Sequence, residues 1–160
     1  MKNILLLGFG GFSWQDDAIA HVFLNEIYQL DIPGITVDRY YETSLGKAGL
    51  IAQYDIVIFI DACLWLPGKR DYALFTCVKQ NMIYFKIIKS TFCKNIINLL
   101  NITQKEFRRD PKAYIFLMKG HQFAEGVGLS DEAKRIVKDS VEYLRPILET
   151  KSFAHAWDKK

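Results

Sequence analysis

Short apolar runs alternate with stretches of helical spacing along this chain. Residues 3–7 form an almost wholly apolar run ending at Gly8, the pattern of a strand buried on both faces. From Asp17 the period changes. Ile19, Val22, Phe23, Ile27 and Leu30 fall on one stripe of a helix, which Pro33-Gly34 ends. Residues 35–38 read as a second strand, 43–53 as a helix interrupted by Gly46 and Gly49, and 56–60 as a fully apolar third strand between Asp55 and Asp61. This order predicts a parallel sheet with helices on both faces.

The next segment breaks the alternation. Pro67-Gly68 makes a turn and 72–78 reads as a strand. The connection before it, about ten residues, is short for a helical crossover, so this strand is expected to run antiparallel. A helix is expected within 83–100, with Met82–Phe92 forming its buried amphipathic start, and then a strand over 114–118. The last helix has the fullest set of signals. Ser130 caps it, and Asp131 and Glu132 suit the positive end of its dipole. Ala133, Ile136, Val137, Val141, Leu144 and Leu148 form its buried stripe. Pro146 is expected to fray or bend its final turn. Residues 1–150 read as one domain and 151–160 as a tail.

Composition narrows the function classes. With 160 residues, half of them apolar, the chain can bury a sizeable core, which excludes a disordered protein. Lys and Arg number 21 against 18 Asp and Glu, and the net charge of +3 is nowhere concentrated; neither nucleic acid nor a membrane surface is expected as partner. Gly8, Gly10, Gly11 and Asp16-Asp17 break the opening apolar run too early for a signal peptide, and no run is long enough to span a membrane. Cys63, Cys77 and Cys93 are odd in number and form no C-x-x-C pair, against a disulfide framework or a structural zinc site. A cytoplasmic location is the expectation.

Candidate chemistry collects at the carboxyl ends of parallel strands. After the first strand come Gly8-Phe9-Gly10-Gly11 and then Asp16 and Asp17, and after the third comes Asp61. A right-handed crossover places these two strands side by side, so Asp17 and Asp61 are expected to face one crevice. The last strand ends at Gly120-His121, on the same rim if it too is parallel. Two carboxylates and an imidazole suit a divalent metal or general-base work. Taken singly, each aspartate reads first as a helix cap or a turn-former, and it is the shared rim that sets the metal reading beside it. A dinucleotide fingerprint is incomplete, because Ser13 stands where its third glycine belongs and Asp16-Asp17 would repel a phosphate.

In order and spacing these segments resemble the hydrogenase maturation endopeptidases, cytoplasmic proteases that remove the C-terminal peptide from a nickel-iron hydrogenase large-subunit precursor. The family's G-x-G-N-x-x-x-x-D-[DE]-x-x-G pattern is matched by Gly8-Phe9-Gly10-Gly11 through Asp16-Asp17-Ala18-Ile19-Ala20. Thr43-Ser44-Leu45-Gly46 resembles its G-T-x-G segment. The apolar strand ending in Asp61-Ala62 and the later Leu66-Pro67-Gly68 match its D-A and P-G. Gly120-His121-Gln122 and Gly126-Val127-Gly128-Leu129-Ser130 resemble its G-x-Q-P and G-x-x-L-S stretches. The likeness runs over about residues 3–148.

The resemblance implies a three-layer α/β/α sandwich around a five-stranded, mostly parallel mixed sheet with one antiparallel strand. It implies that Asp17 and Asp61 are metal-ligand carboxylates. They would engage nickel already carried by the precursor, with no tightly bound cofactor of the chain's own, and cleavage would follow the cysteine motif that holds that nickel. Gly10, Gly11, Asp16, Thr43 and Gly46 fall on the substrate side by the same carry-over. The family's third ligand, a histidine, corresponds to Phe92, while Gly11, Ala20 and Phe123 replace its asparagine, glycine and proline. His121 on the rim, His21 four residues after Asp17, and Cys93 beside Phe92 are the residues available to stand in. The first functional reading is a metal-dependent endopeptidase. The second is a relative without proteolysis that binds or chaperones a metalloenzyme subunit or another client. A small-molecule hydrolase on the same scaffold is a third.

Overall fold

The computed structural model of the chain describes residues 1–40, 46–77, 90–154 and 156, with residues 90–93 described by their backbone alone. Its elements are β1 (Ile4–Gly8), a 3-10 turn (Gln15–Ala18), α1 (Ile19–Gln29), β2 (Ile35–Arg39), α2 (Lys47–Ile51) and β3 (Ile56–Cys63). They continue with β4 (Tyr72–Thr76), α3 (Ser90–Phe107), β5 (Lys112–Lys119) and α4 (Asp131–Thr150). Five strands form one sheet in the order β2-β1-β3-β5-β4. β1 pairs in parallel with β2 and β3, and β3 in parallel with β5. β4 lies antiparallel on β5, as its short approach requires.

The apolar strands are apolar because helices cover both of their faces. Ile4, Leu6, Ile58, Ile60, Phe116 and Met118 point into one core with α1 and α4. Leu5, Leu7, Val57, Phe59, Ile115 and Leu117 point into the other, closed by α2 and α3. Every residue of β1 and β3 is buried, while the edge strands β2 and β4 are only partly so. No helix among the described residues is long and apolar enough to cross a membrane.

Three helix boundaries differ from the sequence-based expectation. Within 43–53, α2 is a five-residue helix beginning after Gly46; residues 43–45 lie outside those described. α3 runs on past Leu100 to Phe107, with the Thr103 hydroxyl donating to the Leu99 carbonyl at 2.7 Å inside the helix. Residues 83–89 of that expected helix, and so most of Met82–Phe92, lie outside the described residues, as does Val78 of the expected strand 72–78. α4 continues through Pro146 to Thr150 rather than fraying. Ile147 and Leu148 are buried, and the Thr150 hydroxyl donates to the Pro146 carbonyl at 2.7 Å. It ends at Lys151 in the left-handed conformation.

Candidate functional site

β1 and β3 are neighbours with Gly8 paired to Ile60, and the Phe9 N–H donates to the Ile60 carbonyl at 2.9 Å. Asp61 is therefore the residue next beyond the point where the β1 loop begins. It is buried, in the same alternation as Val57, Phe59 and Cys63 that face the α2/α3 layer, and its Oδ1 accepts the Ala62 N–H at 2.7 Å. β5 ends at the same edge, where the Gly120 N–H donates to the Cys63 carbonyl at 2.8 Å. Asp61 and the end of β5 before His121 thus lie at the same edge of the sheet, from which the β1 loop leads to Asp17.

Asp16 and Asp17 open the same 3-10 turn and diverge completely. Asp16 is wholly enclosed. Its Oδ2 accepts from the His121 N–H (2.8 Å), the Gln122 N–H (2.9 Å) and the Ser130 hydroxyl (2.7 Å), and its Oδ1 from the Ser130 N–H (2.8 Å). Its own N–H donates to the Gln122 carbonyl. Burial pushes this carboxyl up, but the bonds from Ser130, His121 and Gln122 outweigh it and hold it below the ordinary 3.8. Ser130 Oγ in turn accepts the Ala133 N–H at 3.2 Å, capping α4 as its position suggests. Asp16, expected to contact substrate, instead fastens the β1 loop to the start of α4.

Asp17 is partly exposed, and its Oδ2 accepts the Gly11 N–H at 2.8 Å. The loop reaches it through Gly10 at φ +124°, where a Cβ would lie 1.9 Å from the Asp17 carbonyl oxygen; only glycine fits. Gly11 faces the same carboxylate, whereas Gly46, at the start of α2, has open space around it. Thr43 lies outside the described residues.

The stand-in ligands are differently placed. His21 is fully buried, its Nε2 is 2.8 Å from the Gly10 carbonyl, and the Phe12 ring stacks on it with centroids 4.4 Å apart. Burial pushes the His21 imidazole below its ordinary 6.5, aided by Arg39 and opposed by the Gly10 bond and Asp17. A ring engaged in this way is not presented to a metal. His121 is exposed, with its backbone bound to Asp16. Burial pushes the Cys63 thiol up to about 12, with Asp61 adding to the rise, so it stays protonated.

Phe92 and Cys93 belong to the first turn of α3. The far end of α3 packs beside α2, with Thr103 Oγ1 3.3 Å from the Ala48 carbonyl and the Arg109 Nε–H donating to the Ala52 carbonyl at 3.1 Å. Eighteen residues span about 27 Å, which carries the first turn well away from the α2 contact made by the far end. Among the described residues no three His, Cys, Asp or Glu side chains come together as a metal-holding group.

The sequence reading overlooked the apolar surface around this rim. Phe12, Trp14, Leu64, Trp65 and Val127, from the loops after β1, β3 and β5, are all exposed. Their only signal in the sequence is placement just outside strands, where periodicity asks for no burial. A cleft of about 320 Å³ lies elsewhere, at the sheet edge between α1 and β2, lined by Leu24, Asn25, Tyr28, Val37, Asp38 and Arg39.

No family model matches the chain, and no curated protein matches it in sequence. Solved structures do. The hydrogenase maturating endopeptidase HybD from E. coli superposes with a TM-score of 0.72 at 16% identity, covering 92% of this chain and 93% of that one. The [NiFe] hydrogenase maturation protease HybD from Thermococcus kodakarensis gives 0.70 at 18% identity, covering 91% and 99%. The maturation protease HycI from the same organism gives 0.68 at 15%, covering 92% and 93%. Over nearly its whole length this chain has the α/β fold of the hydrogenase maturation endopeptidases.

Proposed function

We propose that this chain is a cytoplasmic endopeptidase that removes a C-terminal peptide from a nickel-loaded hydrogenase large-subunit precursor. The observation that supports this reading is Asp61 next beyond Ile60 on β3, with the loop leaving the paired end of β1 leading to Asp17, in a fold that maturation proteases share. Hard oxygen donors in this number suit a metal already held by other ligands. Nickel is accordingly the client's, part of the substrate. Asp17 and Asp61 meet it and so bring the adjoining peptide bond to the rim, where the metal supplies Lewis-acid polarisation. Gly10, Gly11 and Gly46 line the approach, and the exposed aromatic rim meets the client chain.

Phe92 supports a second reading. With no imidazole at that position and no three-ligand group among the described residues, a protein that binds the client without cutting it has the same rim available.

Incubation with nickel-loaded precursor, followed by mass spectrometry of the precursor, separates the two. The protease reading expects release of a C-terminal peptide, none from nickel-free precursor, and a loss of roughly a hundredfold or more in rate for D17N and for D61N. Co-purification of intact precursor without release replaces it by the binding reading.

A further inference from the structure

We propose that His21 is a positioning residue for Asp17, acting through the peptide unit that joins Gly10 to Gly11. This rests on the reading of Asp17 as the carboxylate that meets the client's metal. The two side chains grip opposite ends of one peptide. The Gly10 carbonyl lies 2.8 Å from His21 Nε2, and the Gly11 N–H donates to Asp17 Oδ2 at 2.8 Å. A carbonyl oxygen only accepts, so Nε2 carries the hydrogen and donates.

Two adjacent glycines form the freest backbone in the loop, and Gly10 sits at φ +124°. Rotation of that peptide would swing the Gly11 N–H away from Asp17 and release the carboxylate from its orientation. His21 opposes the rotation by holding the carbonyl. Asp17 lies in the 3-10 turn and His21 in the first turn of α1 that follows it directly, so the two arms of the clamp come from consecutive elements four residues apart.

The other imidazole nitrogen supports a holding role over a ligand role. Nδ1 is buried and has no hydrogen-bond partner, in a residue with no solvent exposure, beneath the Phe12 ring that stacks on it. The Arg39 guanidinium sits 5.9 Å from the other ring of that stack, Phe12. Sealed in this way, the ring keeps its one hydrogen on Nε2, directed at Gly10, whatever binds at the rim.

The test compares H21F, which keeps a ring and loses the donor, with H21Q, whose amide nitrogen reaches about as far as Nε2. Two readouts are used: peptide release from nickel-loaded precursor, and hydrogen exchange at the Gly11 amide by NMR. H21F is expected to lower kcat about tenfold with little change in KM, and to speed Gly11 exchange about tenfold, the equivalent of one lost hydrogen bond. H21Q is expected to restore both to within about threefold. If H21F does not fold, H21N takes its place, since the shorter amide cannot reach Gly10. Wild-type behaviour of a folded H21F in both readouts, or an H21Q as impaired as H21F, overturns the proposal. If the wild-type chain releases no peptide, the protease reading falls, while Gly11 exchange still decides whether the clamp exists.

Discussion

Asp16 and Asp17 are chemically identical neighbours in one short turn, and they serve opposite sides of the molecule. Inward, Asp16 is enclosed by four donors from the loop after β5 and the cap of α4. Outward, Asp17 is partly exposed at the rim. The inner side is built for permanence: a buried carboxylate is tolerable only when every lone pair meets a donor. The outer side keeps part of its surface in solvent, with the Gly11 N–H on one oxygen. Adjacent positions are thus divided between the interior and the surface.

The largest effect that would break this division is on the inner side. D16A leaves the Ser130, His121 and Gln122 N–H groups without their acceptor and is expected to destabilise the fold by about 3–5 kcal/mol, lowering Tm by roughly 10 °C. D17N is expected to stay within about 1 kcal/mol of wild type in thermal unfolding, because its amide oxygen still accepts from Gly11. Equal losses for the two would erase the contrast.

At the seam between the sides, G10A forces an L residue to φ +124° with its Cβ 1.9 Å from the Asp17 carbonyl oxygen. A loss of about 3 kcal/mol is expected in urea unfolding, against a few tenths for G46A, where the added methyl meets open space.

The smallest effects are in pH dependence. His21 is held neutral below its ordinary 6.5, so the unfolded chain takes up a proton first and stability falls as pH drops through that value. Asp16 is held ionised below its ordinary 3.8, so its contribution is complete above that pH and is lost on further acidification. Denaturant midpoints measured from neutral pH to about 3 should show both declines. H21F should remove the upper one and D16N the lower.

What the sequence made legible was local or periodic. Fully apolar β1 and β3 announced a sheet covered on both faces, the short step before Tyr72 announced the antiparallel β4, and Ser130 announced the start of α4. What it concealed depended on distant partners. Nothing near Asp16 in the chain distinguishes it from Asp17, because its donors arrive 105 to 114 residues later. His21 at ligand-like spacing from Asp17 looked like a metal ligand, since the Gly10 carbonyl comes within its reach only through a backbone angle the residue names do not disclose. Pro146 was expected to spoil the end of α4, yet burial of Ile147 and Leu148 outweighs one missing amide bond.

The link between Asp16 and Ser130 also orders events during synthesis. The first strand and its loop leave the ribosome early, but the donors that neutralise the buried carboxylate emerge only once some four-fifths of the chain has been made. Until then the β1 loop lacks its fastening to the start of α4. A nascent or truncated chain ending before Ser130 would therefore lack two of the four donors to Asp16 and leave its carboxylate half-satisfied. The buried side of this turn is completed only when the chain is nearly whole.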